Sequence, residues 1–469
     1  MQALYQLSYS PLPVRPVSPA APPTLHGPPR APPNRFRSVR IRPVLSAFVT
    51  VIALVGARHR VPLAAGVCLL SFTAFWLAQR AADVSMIDLM VYRAEGETVR
   101  AGGDLYALRT TEAHLPTTYP PFAALLFTPL TLLDTADMRT LATLGNLLLL
   151  VTFTHLALRL VGPVPHIGHA RVETVPRMEA ALWVSALAVW AEPVWTTLRY
   201  GQINLLLAVL VLWDLSRRPG HRWAGLGIGI AAAVKLTPAL FAVFLLITGA
   251  AEAVRRGQWR VPVRRACVAA VSFAGATLLA AAVLPYDSRR FWTRMVFEAG
   301  RVGLPEDTAN QSLRGVLARL LHTTEPGIWW AVAAAAAGVL GLAVAVREAL
   351  RGERARAAVS CAATALLVSP VSWSHHWVWC VPMALLVWTE AVRRGGRARW
   401  AATGAVVLVF CSYALWWVPH GVGRLELGQN YGEMTLSALY VGTAFAFLLQ
   451  GAGRRTRLWI KRDQAVAKE

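Results

Sequence analysis

The stretch Val61-Pro-Leu-Ala-Ala-Gly-Val-Cys-Leu-Leu-Ser-Phe-Thr-Ala-Phe-Trp-Leu-Ala-Gln79, followed shortly by Asp88-Leu-Met-Val-Tyr92, decides the class of this protein. Its first part holds no charged residue, and as a helix it is long enough to cross a hydrocarbon core of about 30 Å. Its second part puts a carboxylate and an aromatic ring just beyond the end of that run. Tyr106 and Thr118-Tyr-Pro-Pro-Phe122 add further aromatics to the same region. The pattern is a membrane-embedded chain with polar chemistry at its mouth.

The rest of the chain repeats the first half of that pattern. Apolar runs recur as far as Leu449, the composition is 55% hydrophobic and 15% charged, and the mean hydropathy is +0.45. A soluble domain of this length is far more polar. The expected class is an all-α polytopic membrane protein with about ten to thirteen spans, some short or broken. The formal charge of +22 would suggest nucleic acid in a soluble protein. Here the arginines fall in short clusters between apolar runs, the pattern of cytoplasmic loops, so the expected partner of the charge is anionic lipid and not nucleic acid. Cys68, Cys267, Cys361, Cys380 and Cys411 lie within apolar runs without paired spacing and read as core residues, with no disulfide and no metal. Residues 1–42, rich in proline and arginine, read as a disordered cytoplasmic tail. Residues 43–60 hold a short apolar segment of uncertain role, and 454–469 form a second basic cytoplasmic tail.

Taking the clusters at Arg217–Arg218, Arg255–Arg265, Arg347–Arg356, Arg393–Arg399 and Arg454–Arg462 as cytoplasmic leaves three outer loops, at 80–118, 285–327 and 419–433, and an outer turn at Ser369–His376. Both termini are then cytoplasmic. Two places complicate the count. Trp223–Ala250 has basic flanks at both ends and is interrupted at Lys235-Leu-Thr-Pro238, where proline removes a helix hydrogen bond, so it reads as two half-helices. Tyr119–Leu133 is short enough to be re-entrant. Such segments in membrane proteins line cavities.

With this topology the polar motifs collect on one face. Asp88 reads either as a juxtamembrane acid in water or as a general base against an apolar wall. Tyr119-Pro-Pro121 is a natural helix start. Gln202 and Asn204, in Tyr200-Gly-Gln-Ile-Asn204, can satisfy free backbone groups at a helix end or hold a ligand. Lys235 within an apolar run costs a few kcal/mol unless it is paired, snorkels or lines a wet cavity, which makes function its default reading, with phosphate as a partner. His375-His376, flanked by Trp373 and Trp377, reads equally as an interfacial aromatic belt or a substrate contact, and adjacent histidines are poorly placed to share one metal.

The ordered set Asp88 with Tyr92, Gly103-Asp-Leu-Tyr106, Tyr119-Pro-Pro121, Gly201-Gln-Ile-Asn204, Lys235-Leu-Thr-Pro238, Asn310-Gln-Ser312 and Ser369-Pro-Val-Ser-Trp-Ser-His-His376 resembles glycosyltransferase family 87, the polyprenol-phosphate-mannose-dependent α-1,2-mannosyltransferases. The resemblance covers roughly residues 61–450. It implies a GT-C fold over 61–453 in the plasma membrane, an extracytoplasmic site, a polyprenyl-phosphate sugar donor, a glycolipid or lipoglycan acceptor and inversion at the anomeric carbon. Asp88 would be the general base, and His375, His376 and Lys235 would meet the leaving phosphate, with His375 preferred because it matches the family's first histidine. Tyr92, Tyr119, Gln202, Asn204, Asn310, Gln311 and Trp373 would contact substrate, and the arginine-rich segment 285–327 would close over the acceptor. No cofactor or metal is implied. A transferase for another lipid-linked sugar, a flippase of lipid-linked intermediates and a non-catalytic assembly partner compete with this reading; transporters often carry internal repeats, and none is visible here.

Overall fold

The computed structural model describes residues 60–163, 175–256 and 259–453. The tails at 1–42 and 454–469 lie outside them, as does the segment 43–60 except for its last residue. By its contacts the chain divides into residues 1–63 and 64–469; of the first unit only the opening of one helix is described. Helix follows helix: α1 (Arg60–Ala81), α2 (Ile87–Ala101), α3 (Pro121–Phe127), α4 (Thr135–Val161), α5 (Arg177–Ala188), α6 (Glu192–Tyr200), α7 (Asn204–Leu215), α8 (Leu226–Val234), α9 (Ala239–Arg256) and α10 (Arg260–Val283). The second half holds α11 (Pro285–Thr293), α12 (Leu313–Leu320), α13 (Gly327–Leu350), α14 (Arg354–Val368), α15 (Cys380–Arg394), α16 (Arg397–Cys411), α17 (Tyr431–Ser437) and α18 (Leu439–Gly453). Among the described residues the sheet content is one short antiparallel pair, Arg109–Thr110 with Leu115–Pro116. The all-α, polytopic architecture expected from the sequence is therefore what the chain adopts.

Among the described residues α1, α4, α10 and α13 are long and apolar enough to cross a membrane, and the bent pairs α6–α7 and α17–α18 raise the number to six. The expected ten to thirteen crossings would need at least α9 and the 15-residue helices α14, α15 and α16 as well, and at 1.5 Å per residue each of the last three reaches only about 22 Å. Leu70 on α1 and Val339 on α13 are more than 70% exposed. Apolar faces of this kind belong against lipid rather than water. Cys68, Cys361 and Cys380 are buried as expected, but Cys267 and Cys411 are exposed on α10 and α16, which corrects their reading as core.

Local chemistry fixes several ends. Asp134 caps α4 by accepting from the Ala136 and Asp137 amides at 2.8 and 2.9 Å. Asn430 and Glu433 close a reciprocal capping box at the start of α17. The chain does break at Lys235, which leaves α8 in an extended conformation before Pro238 opens the way to α9. Tyr119–Leu133 is a single short helix followed by a 3-10 turn, too short to span.

The segment 285–327 is not the loop the sequence suggested. It carries α11 and α12, and three of its arginines, Arg290, Arg301 and Arg319, are braces. Arg301 donates to the Thr117 and Thr118 carbonyls at 2.5 and 3.2 Å, and Arg290 pairs with Asp104. Arg319, 1% exposed, donates to the Asp307 and Ser437 carbonyls at 2.8 and 2.9 Å. Arginines committed to carbonyls in this way hold the segment shut in place; they are not free to fold over a ligand.

At the opposite end of the helices the basic clusters meet one another. Arg264 and Arg265 donate to the Pro219 and Arg217 carbonyls at 2.9 Å each, Arg354 reaches the Leu215 carbonyl, and Arg347 the Ala452 carbonyl at 2.7 Å. Helix α7 runs from this basic end at Leu215 to Asn204 at the polar end. The main core lies between the two, around Phe75, Phe153, Val194, Leu205 and Trp377.

Candidate active site

The site is assembled where α2, the α6–α7 elbow, the break at Lys235 and the turn after α14 converge. The elbow bends by 117° between Tyr200 and Asn204. Its pivot, Gly201, has φ +68°, and a Cβ there would stand 2.6 Å from the Leu89 Cβ on α2. Only glycine permits both this left-handed backbone and the close approach. That contact brings Gln202 against Asp88, whose Oδ2 accepts from Gln202 Nε2 at 2.7 Å. The amide is held in that orientation because its Oε1 accepts from the Tyr92 and Tyr119 hydroxyls at 2.8 and 3.2 Å. The two hydroxyls are 2.9 Å apart. Among the described residues no protein donor meets Asp88 Oδ1, so that oxygen is left for a ligand.

Gly201→Ala is expected to destabilise the protein by about 2 kcal/mol or more. The left-handed backbone alone costs roughly 1–2 kcal/mol for a residue with a Cβ, and the contact with Leu89 adds to it. Thermal unfolding of the purified protein checks this, and an unchanged midpoint would show that the elbow yields.

On the other side, Lys235 Nζ lies 2.8 Å from His376 Nε2 and 3.3 Å from Asn204 Oδ1, and 5.5 Å from the centre of the Tyr119 ring. A slot lined by Asn204, Lys235 and His376 at its polar end continues between Leu207, Phe241, Leu366 and Trp379 into apolar surroundings. Asp88 lies outside this lining but within electrostatic reach of Lys235. Burial pushes the Asp88 carboxyl up to about 6, although the Gln202 hydrogen bond and the Lys235 charge both pull it down. A carboxyl in that range is ionised near neutral pH and basic enough to accept a proton. Among the described residues no group of three or more histidine, cysteine or carboxylate side chains stands close enough to hold a metal ion.

The remaining residues singled out by the sequence fall into two groups. Tyr92, Tyr119, Gln202 and Asn204 are brought together, but as a buried scaffold around Asp88 and Lys235: Asn204 Nδ2 also donates to the His375 carbonyl at 3.0 Å. Asn310 and Gln311 are fully buried and sit behind the site. Asn310 accepts from the Ser372 amide at 3.0 Å and donates to the Pro305 carbonyl at 2.9 Å; Gln311 donates to the Thr308 and Ser437 carbonyls at 2.8 and 2.6 Å. The turn that carries the histidines is braced by the Asn310 side-chain oxygen and by the Gln311 backbone amide, which donates to the Ser372 carbonyl at 2.7 Å, while the side-chain nitrogens of both residues are taken up by other carbonyls. Trp373 pairs its backbone with Asn310 and rests its ring on Gly303.

The two histidines divide as a 3-10 turn requires, with neighbours about 120° apart. His376 reaches Lys235, while the His375 ring stands edge-on to Tyr200 at 5.5 Å and its buried Nε2 meets no partner among the described residues. The geometry favours His376 over His375 for contact with a ligand beside Lys235. Sequence reasoning missed α6 itself. Glu192, Thr196 and Tyr200 recur at a spacing of four and so share one helix face, and Thr197 Oγ1 donates to the His375 carbonyl at 2.7 Å. That periodicity was the available signal.

Comparison with known proteins gives the family. A profile of glycosyltransferase family 87 matches residues 118–370. A polyprenol-phosphate-mannose-dependent alpha-(1-2)-phosphatidylinositol pentamannoside mannosyltransferase of Mycobacterium tuberculosis is 33% identical over 422 residues, covering 87% of this chain and 89% of that protein. A polyprenol-phosphate-mannose-dependent alpha-(1-2)-phosphatidylinositol mannoside mannosyltransferase of Mycolicibacterium smegmatis is 35% identical over 387 residues, covering 77% and 82%. Among solved structures, ArnT from Cupriavidus metallidurans bound to undecaprenyl phosphate is a distant likeness, with a TM-score of 0.37 and 17% identity over 84% of this chain and 78% of that one. On the extent of the profile match and the relatives' coverage, this chain belongs to glycosyltransferase family 87.

Proposed function

We propose that this protein moves mannose from polyprenyl-phosphate-mannose to a glycolipid or lipoglycan acceptor, inverting the anomeric centre and forming an α-1,2 linkage. The observation that carries the reading is Asp88, one oxygen pinned by Gln202 and the other free, within electrostatic reach of Lys235, which pairs with His376 at the polar end of an apolar slot. An acceptor hydroxyl bound at Asp88 Oδ1 gives up its proton to the carboxylate as its oxygen attacks the anomeric carbon. The bond from that carbon to the phosphate oxygen breaks on the opposite face, and polyprenyl phosphate departs with one more negative charge. Lys235 and His376 take that charge. The Trp373 amide donates to His376 Nδ1 at 3.2 Å, which puts the proton of a neutral ring on Nε2, towards Lys235. Two donors then face one another, and a phosphate oxygen supplies the acceptor both need.

The names of the relatives support mannose as the sugar and phosphatidylinositol mannosides as acceptors. The gathering of basic clusters at the far end of α7 supports an extracytoplasmic site with the basic ends in the cytoplasm. In this reading residues 61–453 form a GT-C-type catalytic domain, with 80–118, 285–327 and 419–433 on its outer side. The test is transfer of radiolabelled mannose from polyprenyl-phosphate-mannose to phosphatidylinositol mannosides by the purified protein in vesicles. Product that survives a chelator is expected. Transfer only from a different polyprenyl-phosphate sugar would overturn the choice of mannose, and movement of donor between leaflets without transfer would overturn the enzyme.

A further inference from the structure

Glu192 is 0% exposed in the first turn of α6, and nothing in the proposed reaction uses it. Four donors converge on its carboxyl group. Thr196 Oγ1, Ser374 Oγ and Trp416 Nε1 donate to Oε1 at 2.9, 2.8 and 3.1 Å, and the Tyr440 hydroxyl donates to Oε2 at 2.7 Å. The donors come from α6, the histidine turn, the segment after α16 and α18. A carboxylate offers about four acceptor sites, and here four protein donors converge on it, three at Oε1 and one at Oε2. Burying a carboxylate is worthwhile only when its hydrogen bonds are complete, and here they join four separate pieces of chain.

One of those pieces is the turn that presents His375 and His376. Ser374 precedes them directly, and α6 grips the same turn a second time through Thr197, whose hydroxyl donates to the His375 carbonyl at 2.7 Å. Rotating this turn by one residue would exchange His376 for His375 at Lys235. Glu192 and Thr197 lie on consecutive turns of one helix, so together they hold the turn at two points against rotation. The Tyr440 bond extends the grip to α18, beyond the 67° bend from α17. Gln311 and Arg319 meet that bend at the Ser437 carbonyl.

We infer that Glu192 is a positioning residue for the donor phosphate: by fixing Ser374 it sets His376 beside Lys235. This rests on the mannosyltransferase reading for the name of the ligand but not for the geometry.

The experiment compares full-length wild type with Glu192→Gln, Ser374→Ala and Tyr440→Phe. It reads binding of polyprenyl phosphate, hydrogen exchange of the backbone over 371–379, and donor and acceptor KM separately. Ser374→Ala removes the bond and is expected to weaken polyprenyl phosphate binding and raise the donor KM by roughly tenfold, the scale of a lost charge-assisted hydrogen bond. Exchange over 371–379 should rise, with the acceptor KM and the acid limb governed by Asp88 unchanged. Glu192→Gln keeps an oxygen that accepts from Ser374 but takes the charge off it, so it should give a smaller shift in the same direction and add little in the double variant, because both act through one bond. If Glu192→Gln does not fold, Ser374→Ala carries the same expectation, with Tyr440→Phe as a control that loosens α18 rather than the turn. Wild-type binding and exchange in Ser374→Ala and Glu192→Gln would overturn the inference. A wild type that binds polyprenyl phosphate and loses it in these variants, yet transfers no mannose, would sink the mannosyltransferase reading and leave Glu192 in its role.

Discussion

Asp88→Asn is expected to lower mannosyl transfer by about 10²–10⁴-fold, the range lost when a general base is removed, with folding and donor binding unchanged. The substitution is nearly isosteric, and the asparagine Oδ1 can still accept from Gln202 Nε2, so the bond that fixes the side chain survives. What disappears is the basic oxygen facing the acceptor. The pH profile provides a second, independent reading. Burial holds the wild-type carboxyl at about 6. A base works only when ionised, so activity should fall as the pH drops through that value, approaching tenfold per unit below it. The residual activity of the variant should lack this limb. Initial rates between pH 5 and 8 for both proteins, with circular dichroism and donor binding as controls, decide the matter. Transfer by Asp88→Asn within about threefold of wild type would remove Asp88 from the chemistry.

Much of this site could be read from the chain because charge in an apolar run is so costly. Lys235 and Asp88 stood out for that reason, and the break at Lys235 was legible because Pro238 cannot continue a helix. Gly201 was legible as a helix entry, but the 117° elbow it forms was not. Asn310 and Gln311 were misplaced for an equally physical reason: an amide that braces a backbone carbonyl and one that binds a sugar hydroxyl are the same residue in a sequence. Only the fold shows that Asn310 holds the Ser372 amide. The segment 285–327 hid its helices because α11 and α12 mix arginines with aromatic and aliphatic residues, a composition that reads as loop. The choice between His375 and His376 turns on the phase of a 3-10 turn, which depends on tethers from α6 that lie far away in the chain. Residues that are costly to bury stand out in a sequence. Residues whose role is set by a remote partner do not.

Lys235 should show opposite signs in stability and activity. Its ammonium stands 2.8 Å from His376 Nε2 and 3.3 Å from Asn204 Oδ1, with no carboxylate in hydrogen-bond contact among the described residues. Lys235→Met keeps the length of the side chain and removes the charge. Replacing a poorly compensated buried charge by an apolar isostere is commonly neutral or stabilising, so the thermal midpoint should hold or rise. Transfer should nevertheless fall by about 10²–10³-fold, the loss seen when a donor to a developing oxyanion is deleted. The reason is that the departing phosphate acquires its additional charge beside this group, in a slot whose walls, from Leu207 to Trp379, offer no other cation. Lys235→Arg should not restore the rate, because the planar guanidinium needs more room than the space between His376, Asn204 and the Tyr119 ring provides. The discriminating measurement is affinity for polyprenyl phosphate. Lys235→Met should lose it along with the rate, whereas Asp88→Asn should lose rate alone. If Lys235→Met kept both rate and affinity, the lysine would be a bystander reaching for water, and the phosphate would have to be sought elsewhere in the fold.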